Sequence, residues 1–299
     1  NAGGNAIACG TNSYTFSSAT ASNNSGVLWS TAGDGTFNNN ALLASTYTFG
    51  AADLLAGSVQ ITLTALGNSP CGNTSNTITL SKSVLGTWLG LINNDWANAG
   101  NWCGGVPTAS TNVIIESGSP FYPVITAGTQ LAQSIVLENG ASLNINGGIL
   151  TSGTITNDGL LIIGAGGELN MVSNQITGTG QVQITGTFRT ERADGFSGTA
   201  STAINSTISS LQVNNGSTID YSAPGPQTIT AGIYCNISNS GNGNRTLDNS
   251  GIIQISGSLT AGNGDYTSTG STIEFNGTVP QSIPALAPNS TYAAIDINN

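Results

Sequence analysis

Two stretches of this chain, fifty-four residues apart, are near copies of each other. Ser217-Thr218-Ile219-Asp220-Tyr221 with Pro226-Gln227-Thr228-Ile229 returns as Ser271-Thr272-Ile273-Glu274-Phe275 with Pro280-Gln281-Ser282-Ile283. A chain that repeats at such a spacing consists of units too small to bury an apolar face alone, so the units must stack. Shorter offsets point the same way. Ala141-Ser142-Leu143-Asn144-Ile145 returns after 26 residues as Gly167-Glu168-Leu169-Asn170-Met171, and Ile155 returns after 27 as Val182. The long offset of 54 then reads as two rungs of 27, each of three short strands. Within the copies apolar residues alternate with polar ones, the period of a half-buried strand. Corners such as Asn146-Gly147-Gly148 and Asn157-Asp158-Gly159 supply the turn chemistry. The spacing predicts an all-β chain with a parallel β-solenoid (β-helix) over residues 110–299 and Leu143, Ile145, Leu169, Met171, Ile219 and Ile273 facing inward.

A parallel coil stacks like on like about 4.8 Å apart, so it disfavours charge. Only 6% of the 299 residues are charged, which fits that architecture and removes the solvation a disordered chain needs. The net charge is −10, and the cations are Lys82, Arg189, Arg192 and Arg245. That set is too sparse for a phosphate-binding groove or an anionic bilayer surface, so neither nucleic acid nor membrane is an expected partner. No run approaches the ~18 apolar residues of a membrane span, and Asn1 to Asn5 show no leader pattern. The chain is therefore expected to be a mature protein or a segment of one.

Residues 1–83 read as a small β-sandwich. Alternating runs at 13–16, 27–30, 46–49, 59–65 and 77–80 are divided by turns such as Gly33-Asp34-Gly35, and Trp29 is the candidate core residue. Of the four cysteines, Cys9 with Cys71 is the expected disulfide. The two stand 62 positions apart, a loop worth about 4 kcal/mol in the chain-entropy view. Cys103 and Cys235 are left to pair with each other or to stay free.

The series Cys9, Tyr14, Leu28-Trp29-Ser30-Thr31, Gly33-Asp34-Gly35-Thr36-Phe37, Thr46-Tyr47-Thr48, Asp53, Gly57-Ser58-Val59, Thr62-Leu63-Thr64, Cys71 resembles the immunoglobulin-like repeats of giant Bacteroidota surface proteins, gliding-motility adhesins among them. The resemblance implies an immunoglobulin-like sandwich whose opening strand is shortened. Residues 84–109 hold Trp88, Trp96 and Trp102 and are similar to the segment that precedes solenoid regions in that class, which implies a cap over the first rung. The aromatic, Pro-Gln and Tyr units at 217–237 and 271–295 also look like repeats of such adhesins.

Chemistry is scarce. There is no histidine, which rules out Ser–His and Cys–His nucleophile pairs and leaves carboxylates as the general bases. The densest charge is Arg189-Thr190-Glu191-Arg192-Ala193-Asp194, read as a charged corner with Glu191 paired to either arginine. Asp34, Asp158, Asp194, Asp248 and Asp265 sit beside Gly or Asn without the spacing of a calcium loop, and read as turn formers. No cofactor or metal is expected, and the chain is not expected to be an enzyme. Trp88, Trp96 and Trp102 are the candidate platform for a surface glycan. Ile295 and Ile297 lie in a terminal strand whose following strands are not in the sequence, and are the expected assembly strand. The expected function is a structural or adhesive subunit, or segment, of an extracellular cell-surface filament or stalk. Its partners would be copies of itself or adjoining segments of a longer chain. A glycan- or cell-binding module is the alternative, and a polysaccharide-active β-helix enzyme the third reading.

Overall fold

A computed structural model describes residues 1–278, 280–286, 288 and 291–298. The chain is all-β, 43% strand and 3% helix, and divides into two compact units, Asn1–Leu85 and Gly86–Asn299.

The first unit has strands β1 (Ala6–Cys9), β2 (Ser13–Thr15), β3 (Asn24–Thr31), β4 (Thr36–Phe37), β5 (Thr46–Thr48), β6 (Ser58–Gly67) and β7 (Thr74–Ser83), with one short helix α1 (Ala51–Ala56). One sheet has the order β1-β7-β6-β3, the other β2-β5-β4. All pairings are antiparallel except β1 with β7. Along β6 the alternation places Val59, Ile61 and Leu63 in the core. Trp29 stacks on Phe16 at 4.4 Å and on Phe37 at 5.9 Å, and its indole N–H donates to the carbonyls of Leu42 and Leu43 (3.0 and 3.2 Å). The α1 turn is locked by two carboxylates. Asp34 accepts the N–H groups of Ala52 and Asp53, and the buried Asp53 accepts those of Gly35 and Gly50 and the Tyr47 hydroxyl. A Cβ at Gly35 would sit 2.3 Å from the Thr48 carbonyl, so only glycine allows that approach.

The second unit is a parallel β-solenoid of about nine turns. One wall stacks, in order, Asn112–Ile115, Thr129–Leu137, Ile149–Asn157, Glu168–Asn170, Thr187–Thr190, Thr218–Tyr221, Asn236–Ser238 and Leu259–Thr260. Its inward ladder runs Leu150, Leu169, Phe188, Ile219, Ile237, Leu259, all buried. A second wall carries Leu143, Leu161, Val182 and Leu211 in one ladder and Ile125, Ile145, Ile163, Ile184 and Val213 in another. Beyond residue 226 two further walls take over. One comprises Gln227–Ile229, Arg245–Leu247 and Tyr266–Thr267; the other comprises Gly232–Tyr234, Ile252–Ile255, Thr272–Phe275 and Ala294–Ile297. The six residues expected to face inward are all fully buried.

The rung length differs from the expected 26–27. Stacked partners are 18 to 22 residues apart: Leu143 lies under Leu161, Leu161 under Val182, Leu150 under Leu169 and Ile273 under Ile295. Leu143 and Leu169 therefore stand in different walls, as do Ile219 and Ile273. The long repeat instead copies one corner, at different places around the coil. Gln227 Nε2 donates to the carbonyls of Thr190 and Arg192, and its Oε1 accepts from Ala223 N–H (3.0, 3.1 and 2.9 Å). Gln281 Nε2 donates to those of Ile255 and Gly257, and its Oε1 accepts from Gly277 N–H (2.8, 2.7 and 2.9 Å). Thr190 pairs with Tyr221 as Ile255 pairs with Phe275, so the two amides make the same three bonds in the same frame.

One turn is longer. Phe188 and Ile219 are stacked neighbours 31 positions apart. After Ser197 the chain loops back on itself, and Ile204 bridges both Ser197 and Ile176.

Candidate functional site

Each candidate group is placed by the ladders. Trp88, Trp96 and Trp102 do not form a platform. All three are buried, with Trp102 edge-on to Trp88 (4.8 Å) and to Trp96 (4.7 Å), so no ring face is open to solvent as sugar stacking requires. Trp88 donates to the Phe121 carbonyl and Trp102 to the Trp96 carbonyl, both at 2.6 Å. Parallel bridges from Thr87 to Ile114 and from Asp95 to Val124 lay the tryptophan segment along the first rung, where the rings join the core of Val113, Ile115 and Ile125.

The pairing of Cys9 with Cys71 is also overturned. Cys9 and Cys103 are each engaged in a disulfide, whereas Cys71 is an exposed free thiol and Cys235 a partly buried one. The register explains why. Cys9 lies beside Ser83 at the end of β7, while Cys71 precedes Thr74 at its start. Strand rise separates these ends by about 30 Å, and a disulfide tolerates no more than ~7 Å between Cα atoms.

The charged corner is dismantled as a unit. Arg189 points along its wall and bridges Glu168 (3.0 Å) and the buried Asp220 (2.8 Å); Asp220 also accepts from the Ser240 amide and hydroxyl. Arg192 donates to the carbonyls of Ser201 and Ser173. Among the described residues neither arginine pairs with Glu191. The aspartates act on turns: Asp158 receives the amide and hydroxyl of Thr179 one rung above, and Asp248 the amides of Ala231 and Asn249. Among the described residues no three of Cys, Asp or Glu gather as metal ligands would.

One buried cation escaped the sequence reading. Arg245 is wholly inside the coil, and no carboxylate partners it among the described residues. Its guanidinium donates instead to the carbonyls of Tyr221, Ala223, Gly225, Gly243 and Asn244 and to Asn239 Oδ1. Burial lowers its affinity for the proton, and the ring of carbonyl dipoles compensates the charge. It stacks between Gln227 and Tyr266, and that register is the signal: an arginine at an inward position of a ladder.

The strand Ala294–Ile297 is the candidate site that stays open. It bonds to Thr272–Phe275 on one side, placing Ile295 over Ile273 and Ile297 over Phe275. In the two rungs below, those positions are core: Ile273 and Ile253 on one ladder, Phe275 and Ile255 on the other. Here they are 38% and 60% exposed. The outward ladder brings Asp296 beside Glu274, with the Asn298 amide donating to both carboxylates (3.3 Å).

No curated protein and no solved structure matches the chain. A family model described as a domain of unknown function, DUF8693, matches residues 87–279, which covers the tryptophan segment and most of the coil. With well over half of its length matched, the chain belongs to the DUF8693 family.

Proposed function

We propose that this chain is a non-enzymatic structural and adhesive unit of an extracellular surface filament or stalk, joined to its neighbours through β-strand edges. The observation that carries this reading is Ala294–Ile297, a strand with one edge unpaired among the described residues and two isoleucines standing in core register yet exposed. Such an edge is a template for another strand. The joint is head to tail, with a copy of the chain or an adjoining segment of a longer one, and contacts of that type propagate without closing. Other features support the reading. Low charge suits stacked ladders, the absence of histidine removes the commonest catalytic base, and the clustered carboxylates serve turns and ion pairs. We read the first unit as an immunoglobulin-like module of the Bacteroidota surface-protein type, on the strength of its two sheets around Trp29. The glycan-binding alternative loses its platform with the burial of the tryptophans.

The test is mass and sedimentation of native surface material. A denatured mass far above 29.9 kDa assigns the joint to a continuous polypeptide. Units of 29.9 kDa that sediment as oligomers, and become monomers in the Ile295→Lys, Ile297→Lys double variant, assign it to separate copies. A 29.9 kDa monomer at all concentrations would sink the proposal.

A further inference from the structure

The doubled-back segment leaves the coil one strand short in one wall. Val213 leads on to Thr218–Tyr221, and Tyr234 leads on to Asn236–Ser238; those two strands are bonded neighbours. The strands that feed them, Ser210–Val213 and Gly232–Tyr234, should therefore be neighbours too. They are not. Ser210–Val213 bonds only to Gln181–Ile184 and Gly232–Tyr234 only to Ile252–Ile255, and among the described residues no backbone bond joins them. The cause lies one corner earlier. Ile176, Ile204 and Ser197 are bridged in that order, and Ser197 N–H in turn donates to the Thr230 hydroxyl (3.4 Å). That side thus holds an extra layer, because the chain turns back after Ser197 instead of continuing across the wall.

A groove of about 260 Å³ results. Its floor is Phe196 and Tyr234, each about 1% exposed, with rings 5.9 Å apart. Leu211 and Val213 line one side and the largely exposed Ile233 the other, and no charged residue borders it. Each flanking strand is the last of its sheet, so among the described residues each turns an unpaired edge of amides and carbonyls to it. At the far end it closes: Gly216 N–H donates to Cys235 Sγ (3.2 Å) and Asn236 N–H to the Ser217 carbonyl (3.0 Å), so the rungs there are adjacent.

We propose that this slot binds a short extended apolar segment of a partner polypeptide, added as the strand between Ser210–Val213 and Gly232–Tyr234. Two facing free edges select an extended backbone over a compact ligand, since only a strand satisfies donors and acceptors on both sides. The apolar floor selects the side chains: a charge pointing inward would be buried without a partner. The closed end limits the strand to roughly three or four residues, about 10–13 Å, entering from the Ser197 side.

The probe is an acetylated, amidated tetrapeptide Gln-Val-Gln-Ile, which copies Gln181–Ile184, whose Val182 and Ile184 stand directly below Leu211 and Val213. Amide hydrogen exchange on the full chain reads its position. Saturable binding should slow exchange at Ser210–Val213 and Gly232–Tyr234, and the control Gln-Asp-Gln-Asp should not bind. Ile233→Asp, at a 66% exposed position that folding tolerates, should weaken binding about tenfold or more. Protection confined to Ala294–Ile297 would mean generic edge pairing, and saturable binding without slowed exchange at either strand would assign the groove to small apolar molecules. Either result, or no saturable binding at millimolar peptide, overturns the proposal.

Discussion

The sandwich and the coil solve the same problem, a core made by a chain with almost no charge, through contacts of opposite range. In the first unit β1 lies on β7 with Ala6 beside Leu80, and the core is a run of unlike rings, Phe16, Trp29, Phe37, Tyr47 and Phe49. In the second, partners stand about twenty residues apart and like stacks on like. The sandwich must assemble as a whole before any of its long-range pairs is rewarded, whereas a coil adds one rung to the next and its stability is close to a sum over neighbours. Damage should therefore spread through the sandwich and stay local in the coil.

The largest expected effect comes from Leu169→Asp. It puts an unpaired carboxylate between Leu150 and Phe188, at a cost of more than about 4 kcal/mol. Hydrogen exchange should show the neighbouring rungs opening while Trp29 and Tyr47 keep their protection. Equal loss in both units would refute the independence drawn above.

A smaller effect sharpens the point inside the coil. Gln227→Leu and Gln281→Leu each remove three hydrogen bonds and leave carbonyls without donors; the cost should be about 2–3 kcal/mol at the buried Gln227 and about 1–2 kcal/mol at the partly buried Gln281. Because the two corners are far apart in the stack, the double variant should be additive within ~0.5 kcal/mol in chemical denaturation. Strong non-additivity would mean that the coil behaves as one cooperative block.

These glutamines also show what the sequence made legible. The repeat at 217–229 and 271–283 is real, and so is the inward alternation of Leu143, Ile145, Leu169 and Met171. Its length misleads because a strand-and-corner unit recurs on more than one wall, so the distance between copies need not be a whole number of turns. The pairing of Cys9 could not be read from spacing, since β1 joins β7 in parallel and carries Cys9 away from the hairpin that holds Cys71. Nor could the burial of Trp88, Trp96 and Trp102 be decided from composition: rings that suit a sugar equally suit the end of a core. That Ile295 and Ile297 lie in a strand was legible because their alternation matches Ile273 and Phe275 beneath them.

The smallest effect separates the units by pH. Hydrogen bonds from the Ala52 and Asp53 amides hold the Asp34 carboxyl below its ordinary 3.8. A depressed carboxyl stabilises the fold above its unfolded value and gives that up as pH falls through the folded one. In the coil, burial and nearby Glu138 raise Glu116, so acid relieves a strain there. As pH falls below about 4 the sandwich should lose stability relative to the coil, and Asp34→Asn should flatten that difference in acid titrations followed by Trp29 fluorescence. An unchanged slope would remove Asp34 from the account.

The placement of the four cations has a consequence for proteolysis. Lys82 lies in β7, Arg189 in a central strand of a wall, and Arg245 inside the coil. A protease that cuts after basic residues needs several residues of free, extended chain in its cleft, and at these three positions the chain is already committed to sheet pairing. Arg192 alone stands outside the strands, at the corner that opens the longest turn. Digestion by trypsin should begin there, and an Arg192→Gln chain should outlast the parent. A molecule with so few cations, three of them held in strands, resists basic-residue proteases by the scarcity and shelter of its cleavage sites as much as by the stability of its fold.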